Sequence, residues 1–190
     1  MENRISLDAM GFYNHWADIQ TQGVTPLGLT YTGNGGKASG PGANMALAVK
    51  PLSELTLAAT VGFTNMKYDT TTPDRDEGDP MDLVSRWTWS TVADYRHPLG
   101  QAALVAHADL GHTSGYQITD RSLIPPEVRH ADVRTVLNAR VGADFGRFAA
   151  YLFGSNLTDN RGTLYPALGG AIEPFLPTPR TVGVELNAHF

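Results

Sequence analysis

Apolar and polar side chains alternate with a period of two along much of this chain, as in a β-strand whose two faces meet different surroundings. Leu55, Leu57, Ala59, Val61 and Phe63 fall in one phase, and Thr56, Thr60, Gly62 and Thr64 in the other. The final stretch sets Val182, Val184, Leu186, Ala188 and Phe190 against Thr181, Gly183, Glu185, Asn187 and His189. Ala102, Leu104, Ala106, Ala108 and Leu110 oppose Val105, His107 and Asp109, while Leu137, Ala139, Val141 and Phe145 oppose Asn138, Arg140 and Asp144. Four further segments, Arg4 to Ile19, Ala43 to Lys50, Arg86 to Tyr95 and Phe148 to Leu157, have strand-like length and β-rich content. The pattern predicts an all-β chain of eight antiparallel meander strands.

The connections between these segments alternate in length. "PLSE" at Pro51, "HPLG" at His97 and "FGR" at Phe145 read as tight turns, whereas Gln22 to Gly42, Asp69 to Leu83, Gly111 to Arg134 and Thr158 to Thr178 read as long loops. Short turns at one end and long loops at the other are how outer-membrane barrels are built. Eight strands then place both chain ends at the short-turn end.

A soluble sandwich or lipocalin-like barrel also alternates, so the polarity of the two faces has to arbitrate. A soluble barrel turns its apolar face inward, and a membrane barrel turns it toward lipid with aromatic girdles at both interfaces. Tyr13, Trp16, Phe63, Trp87, Trp89, Tyr95 and Phe190 all sit near strand ends, where girdles belong. The polar phase mixes charges with Gly and Thr, which suits a wet lumen better than a dry core. A transmembrane β-barrel accounts for the pattern better than a soluble one.

Composition narrows the choice further. Twenty Gly and twelve Pro disfavour a helical bundle. The absence of Cys removes disulfides, thiolate metal sites and cysteine nucleophiles. A net charge of −5 with 17% charged residues disfavours a nucleic-acid partner. No apolar run reaches the ~18 residues of a membrane helix, and "MENRISLDAMGFY" lacks the order of a signal peptide.

Candidate chemistry is sparse. In "HADLGH", His107 and Asp109 share a face while His112 takes the other, so the three cannot converge on one metal. "DRDEGD", Asp74 to Asp79, is acidic but lacks EF-hand spacing and reads as a solvated loop. "GNGGKASGPG", Gly33 to Gly42, lacks the Gly-Lys-Ser/Thr ending of a phosphate cradle and reads as a flexible loop. No nucleophile elbow is present. No catalytic, metal or cofactor-binding residue is assigned, the chain is read as not an enzyme, and no cofactor is expected.

Five stretches together resemble the C-terminal barrel strands of TonB-dependent outer-membrane receptors. They are "FYNHWADIQ" (12–20), "GKASGPGANMALAVKPLSELTLAATVGFTNMKY" (36–68), "SRWTWSTVADYRHPL" (85–99), "LFGSNLTDNRG" (152–162) and "PRTVGVELNAHF" (179–190). The most specific part is Asn156-Leu157-Thr158-Asp159, which resembles the family's turn at the outer end of the penultimate strand, followed by Pro179-Arg180 opening a final strand that ends in Phe190. On this resemblance Asn156 is a turn residue whose side chain closes an Asx-type turn, and its glycosylation sequon is coincidental. The chain departs from the family's pattern at His15, Asn44 and Ser85.

The resemblance implies that residues 1–190 form the C-terminal portion of a 22-stranded barrel, with the plug domain and signal peptide absent. It implies energised uptake of a scarce nutrient of the siderophore, cobalamin or saccharide class at the cell outer membrane, with the ligand and its contact residues unassigned. Expected partners are outer-membrane lipid, the barrel assembly machinery through the strand ending at Phe190, and TonB only through the absent N-terminal part. Two rivals stay open: a self-sufficient eight-stranded membrane barrel acting as an adhesin or structural protein, and a soluble lipocalin-like binding protein.

Overall fold

A computed structural model describes residues 4–25, 27–72, 75–123, 125–169 and 173–188, with the backbone alone at 21–24 and 30. One antiparallel sheet dominates it. Its path runs β1 (Ile5–Trp16), β4 (Ala38–Leu52), β5 (Leu55–Thr64), β7 (Trp87–Leu99), β8 (Ala102–Thr113), β11 (Arg134–Asp144), β12 (Phe148–Ser155) and β13 (Thr181–Ala188). These are the eight strands the alternation predicts, in meander order. A short ninth strand, β6 (Lys67–Tyr68), pairs the outer end of β4. Among the described residues β1 and β13 are the two edges and do not pair with each other.

Cross-strand register shows why alternation was a sound guide. Residues paired across a ladder share a face, and one row runs Ile5, Val49, Leu57, Ala93, Ala108, Ala139, Gly154, Val182 through all eight strands without a polar member. The row displaced by one residue carries Thr56, Asp94, His107, Arg140, Phe153 and Gly183 on the opposite face. On β13 the apolar members are open, Val182 at 70%, Val184 at 64% and Leu186 at 76%, while Gly183, Glu185 and Asn187 are partly covered. The apolar face is therefore outward and the polar face inward, the reverse of a soluble barrel.

Aromatic rings border the outward face. Trp87 packs on Phe63 with ring centroids 4.7 Å apart, and Trp89 stacks on His112 at 5.0 Å. Tyr95 stacks on His97 at the other end of the same strand. Trp87 to His97 rises about 33 Å along the strand at ~3.3 Å per residue. A tilt of ~40° reduces this to about 25 Å across a membrane, the height of such an apolar band.

The tight turns lie where the sequence places them, the first two with later starts and the third at Phe145 as read. β4 runs through Pro51 to Leu52, and the ladder slips at a bulge between Val49 and Leu52, where a residue without an N–H is tolerated. β7 likewise runs through Pro98, leaving Gly100-Gln101 as the turn, with Gly100 at φ 65°.

The long loops depart from expectation because they hold structure of their own. β2 (Gln20–Val24) and β3 (Thr30–Asn34) form a hairpin, and β9 (Tyr116–Asp120) and β10 (Glu127–Ala131) form another. The reading of Gly33 to Gly42 as a flexible loop is corrected here. Ala38 to Gly42 belong to β4, and a Cβ at Gly40 would strike the Asn65 carbonyl oxygen, while one at Gly42 would strike the Phe12 ring. These glycines allow close approach and do not mark flexibility.

Candidate functional site: an inner polar face under a packed loop layer

The inner face of the sheet carries a band of interacting charges. His107 lies between two carboxylates, with Nδ1 2.7 Å from Asp94 Oδ1 and Nε2 3.5 Å from Asp109 Oδ1. Asn138 Nδ2 donates to Asp109 Oδ2 at 2.8 Å, carrying the chain of contacts onto β11. Toward the short-turn end of the same face Arg96 pairs with Asp144 at 2.9 Å, and the guanidinium of Arg140, opposite His107 in register, lies 5.3 Å from the centre of the Tyr151 ring. His112 faces outward against Trp89, with Nδ1 2.8 Å from Thr135 Oγ1. The structure thus separates His112 from His107 and Asp109 as the alternation required.

Asn156 ends this ladder at the loop side. It is 4% exposed and adopts φ 50°, a left-handed conformation that Asn tolerates better than most residues. Its Nδ2 donates to the carbonyls of Asn160 and Thr178, both at 2.9 Å, and its Oδ1 accepts from the Asn160 N–H at 2.9 Å and the Thr158 hydroxyl at 3.1 Å. Its backbone N–H donates to Asn138 Oδ1 at 2.9 Å. The side-chain amide is committed to two internal carbonyls and buried, so the turn reading holds and a glycan has no acceptor there. Beside it, Asp159 accepts from Arg161 at 3.1 Å and lies 3.7 Å from Arg180. The Arg161 hydrogen bond and charge, with Arg180 behind it, hold the Asp159 carboxyl below the usual carboxylate range.

Above the inner face the loops pack together. Ile19, Ala38, Met66, Tyr68 and Met81 are buried as one hydrophobic cluster, with Val84 against it. Arg75 lies 4.0 Å over the Tyr68 ring, so the stretch read as a solvated acidic loop contributes a buried cation–π contact. Asp74 lies outside the described residues. Burial first, and the nearby Asp82 carboxylate second, push the Tyr68 hydroxyl above its ordinary pKa.

Polar contacts join the loops to each other. Asp82 accepts from Thr119 Oγ1 at 3.1 Å and from Arg121 Nη2 at 2.9 Å, linking the 69–86 loop to the β9–β10 hairpin. Asp120, 1% exposed, accepts from the Gly169 N–H at 2.8 Å and from Ser122, linking that hairpin to the 158–178 loop. Burial alone would raise the Asp120 pKa, but these hydrogen bonds outweigh it and hold the carboxyl below its ordinary value. Asp82, Asp120 and Arg121 were not singled out by sequence reasoning: their partners lie up to 49 residues away and no local motif announces them. Phe190 lies outside the described residues. Among the described residues no three His, Asp or Glu side chains are grouped to hold a metal.

Eight meander strands with an outward apolar face, aromatic borders, tight turns at one end and packed loops at the other define a wall of an outer-membrane β-barrel. The comparisons with known proteins agree on the fold. No family profile matches the chain. Among solved structures it is similar to the ferric yersiniabactin uptake receptor FyuA from Yersinia pestis, with a TM-score of 0.78 and 17% identity over 100% of this chain and 28% of that one. It is also similar to the ferric-catecholate import receptor Fiu from Escherichia coli K12, at 0.69 and 14% over 100% of this chain and 26% of that one. The ferric preacinetobactin receptor BauA from Acinetobacter baumannii matches at 0.67 and 15%, over 98% and 27%. The chain spans about a quarter of the length of these receptors. The barrel-wall fold expected from the sequence is the fold found.

Proposed function

We infer that this chain is part of the wall of an outer-membrane receptor that takes up a scarce nutrient with energy delivered through TonB. The observation that carries the reading is the inversion of the two faces: an apolar row runs outward through all eight strands, and the interacting charged groups of β7, β8 and β11 lie on the opposite, inward face. A protein bathed in water on both sides gains nothing from that arrangement, and one set in a bilayer requires it. The loop layer and inner face are where such a receptor meets its ligand. The neighbours named above are receptors for ferric siderophores, which supports the siderophore class ahead of cobalamin or saccharide. Residues 1–190 are assigned to the C-terminal portion of the barrel on the resemblance of the Asn156 turn and the final strand. On the same resemblance Phe190 is read as the aromatic that the assembly machinery recognises, and its deletion should lower the amount of protein assembled in outer-membrane fractions.

Energy coupling needs an element whose state the source can bias, and a barrel wall offers only the surface against which such an element works. The test is to express the gene carrying this sequence in a strain stripped of its own ferric-siderophore receptors and to measure iron accumulation with and without an uncoupler. Accumulation that collapses with the proton gradient supports the reading. Uptake indifferent to the gradient argues for a self-sufficient barrel, and recovery of the protein in the soluble fraction argues for the lipocalin-like alternative.

A further inference from the structure

A pocket of 280 Å³ lies between the 69–86 loop and the β9–β10 hairpin. Its walls are fixed by contacts between the two loops: Gln117 Nε2 donates to the Pro80 carbonyl at 3.0 Å, and the Leu83 N–H donates to the Gln117 carbonyl at 2.8 Å. Tyr116 is held from behind by its hydroxyl, which donates to the Leu164 carbonyl at 2.6 Å. The wall is therefore set by these contacts before any ligand arrives, which lowers the ordering cost of binding, while Arg86 and His130 stand exposed beside it.

The one formal charge in the lining is positive. Arg86 lines the pocket, with the His130 imidazole as a second nitrogen donor, and no carboxylate does, in a chain whose net charge is −5. The acids that follow the lining residues Met81 and Ala131 in sequence are engaged elsewhere, Asp82 with Arg121 and Thr119, and Asp132 with the Thr163 N–H at 2.8 Å. Arg86 makes no ion pair or side-chain hydrogen bond among the described residues. Apart from Gln117, whose amide is bonded to the Pro80 carbonyl, the remaining lining is mostly apolar, with Met81, Val84 and the Tyr116 ring among it. The volume is at the low end for small-molecule sites.

We propose that this pocket binds a small organic carboxylate, free or as one group of a larger ligand, with the carboxylate on Arg86 and His130 and the apolar body against Met81, Val84 and Tyr116. A guanidinium matches a carboxylate in a planar two-bond geometry, and the apolar walls select against a fully hydrated inorganic anion. The assignment goes beyond the transport reading, since a protein that binds here and moves nothing leaves it standing.

The test is ligand-observed fluorine NMR on the full chain folded in zwitterionic detergent, with 4-fluorobenzoate as the probe. Neutral 4-fluorobenzamide reports partition into the micelle, and inorganic phosphate serves as a competitor. Saturable 4-fluorobenzoate binding is expected, with no saturable benzamide binding and no displacement by equimolar phosphate. Arg86→Gln should weaken it about tenfold or more, the loss of a charge-assisted hydrogen bond, and Arg86→Lys, which keeps the charge but loses the planar fork, by a smaller but still measurable factor. His130→Gln gives a second variant should the arginine changes impair folding, which a heat-shift gel reports, and it too should weaken binding. Displacement by equimolar phosphate, saturable benzamide binding, or unchanged affinity in both Arg86→Gln and His130→Gln would overturn the proposal.

Discussion

The strand belt and the loop layer of this molecule obey opposite rules of burial. In the belt, Val182, Val184 and Leu186 are open to the surroundings, and His107 with the carboxylates of Asp94 and Asp109 faces inward. In the loop layer, Ile19, Met66, Tyr68 and Met81 are buried together and the loops are joined by ion pairs and hydrogen bonds around them. A single chain follows both rules because it lies in two solvents. Where lipid surrounds the wall, apolar side chains need no burial and every backbone polar group must be paired within the sheet. Above the aromatic border water returns, and apolar side chains must again cluster to leave it.

The sharpest way to break this contrast is to put a charge on each face of one strand. Val184 and Glu185 are neighbours at the centre of β13, pointing outward and inward. Val184→Arg should destabilise the folded protein in liposomes by about 2–4 kcal/mol, the cost of a cation near the bilayer midplane. Glu185→Arg should cost much less, because its face is wet. A urea titration that finds the two changes equal would show the faces to be misassigned.

Asn156 is where the two regions meet, and its removal comes next in size. Asn156→Ala strips partners from the Asn160 N–H and the Thr178 carbonyl and leaves an alanine at φ 50°. About 2 kcal/mol should be lost, from unsatisfied buried groups and backbone strain together. The loss should register both as a lower urea midpoint and as faster protease cleavage in the 158–178 loop. Cleavage alone, with the midpoint unchanged, would confine the residue's influence to the loop.

Met81→Ala acts within the loop layer. Truncating a buried Met costs at least about 2 kcal/mol in a closed core, and this cluster is small, so a value near 1–2 kcal/mol is expected. It should appear as faster hydrogen exchange in the 69–86 loop with the strand ladder unaffected, since local opening need not involve the belt. Faster exchange of β5 and β7 amides would show that the two regions unfold as one.

The belt was legible in the sequence and the loop layer was not, for the same physical reason. A strand between two environments writes its orientation into every second residue, so Leu57 and Thr56 declare their faces without reference to the rest of the chain. The loop layer is held by distant pairs: Asp82 with Arg121 across 39 residues, Asp120 with Gly169 across 49. Nothing near Asp82 distinguishes it from the solvated acids around it. Gly40 shows how composition misleads: a glycine-rich run suggested flexibility, and the chain uses it to bring β4 against Asn65. Asn156 lies between these cases. Its bonds to Thr158 and Asn160 are local and readable, whereas those to Asn138 and Thr178 depend on the fold.

The smallest predicted effect tests whether acid loosens the loops before the belt. Asp159 and Asp120 both have pKa values held below the ordinary carboxylate value, Asp159 by Arg161 and Arg180, and Asp120 by hydrogen bonds that outweigh its burial. A carboxylate with a depressed folded pKa contributes stability that is fully present above its unfolded value, near 3.9. That contribution is lost as pH falls through the lower, folded value. Lowering the pH from 7 to about 5 should therefore leave the 158–178 loop as protected as before. Below about 4 its anchors to Arg161, Arg180 and the Gly169 N–H should weaken progressively. Pepsin, active in that range, should cleave this loop faster as pH falls while the strand ladder stays intact. Asp159→Asn should raise cleavage at pH 4–5 toward the level that wild type reaches only in stronger acid, and so flatten the pH dependence. Because Asp159 is screened by solvent, the change should be the least of the four, and an unchanged pepsin profile in the variant would place the acid-sensitive anchor at Asp120 instead.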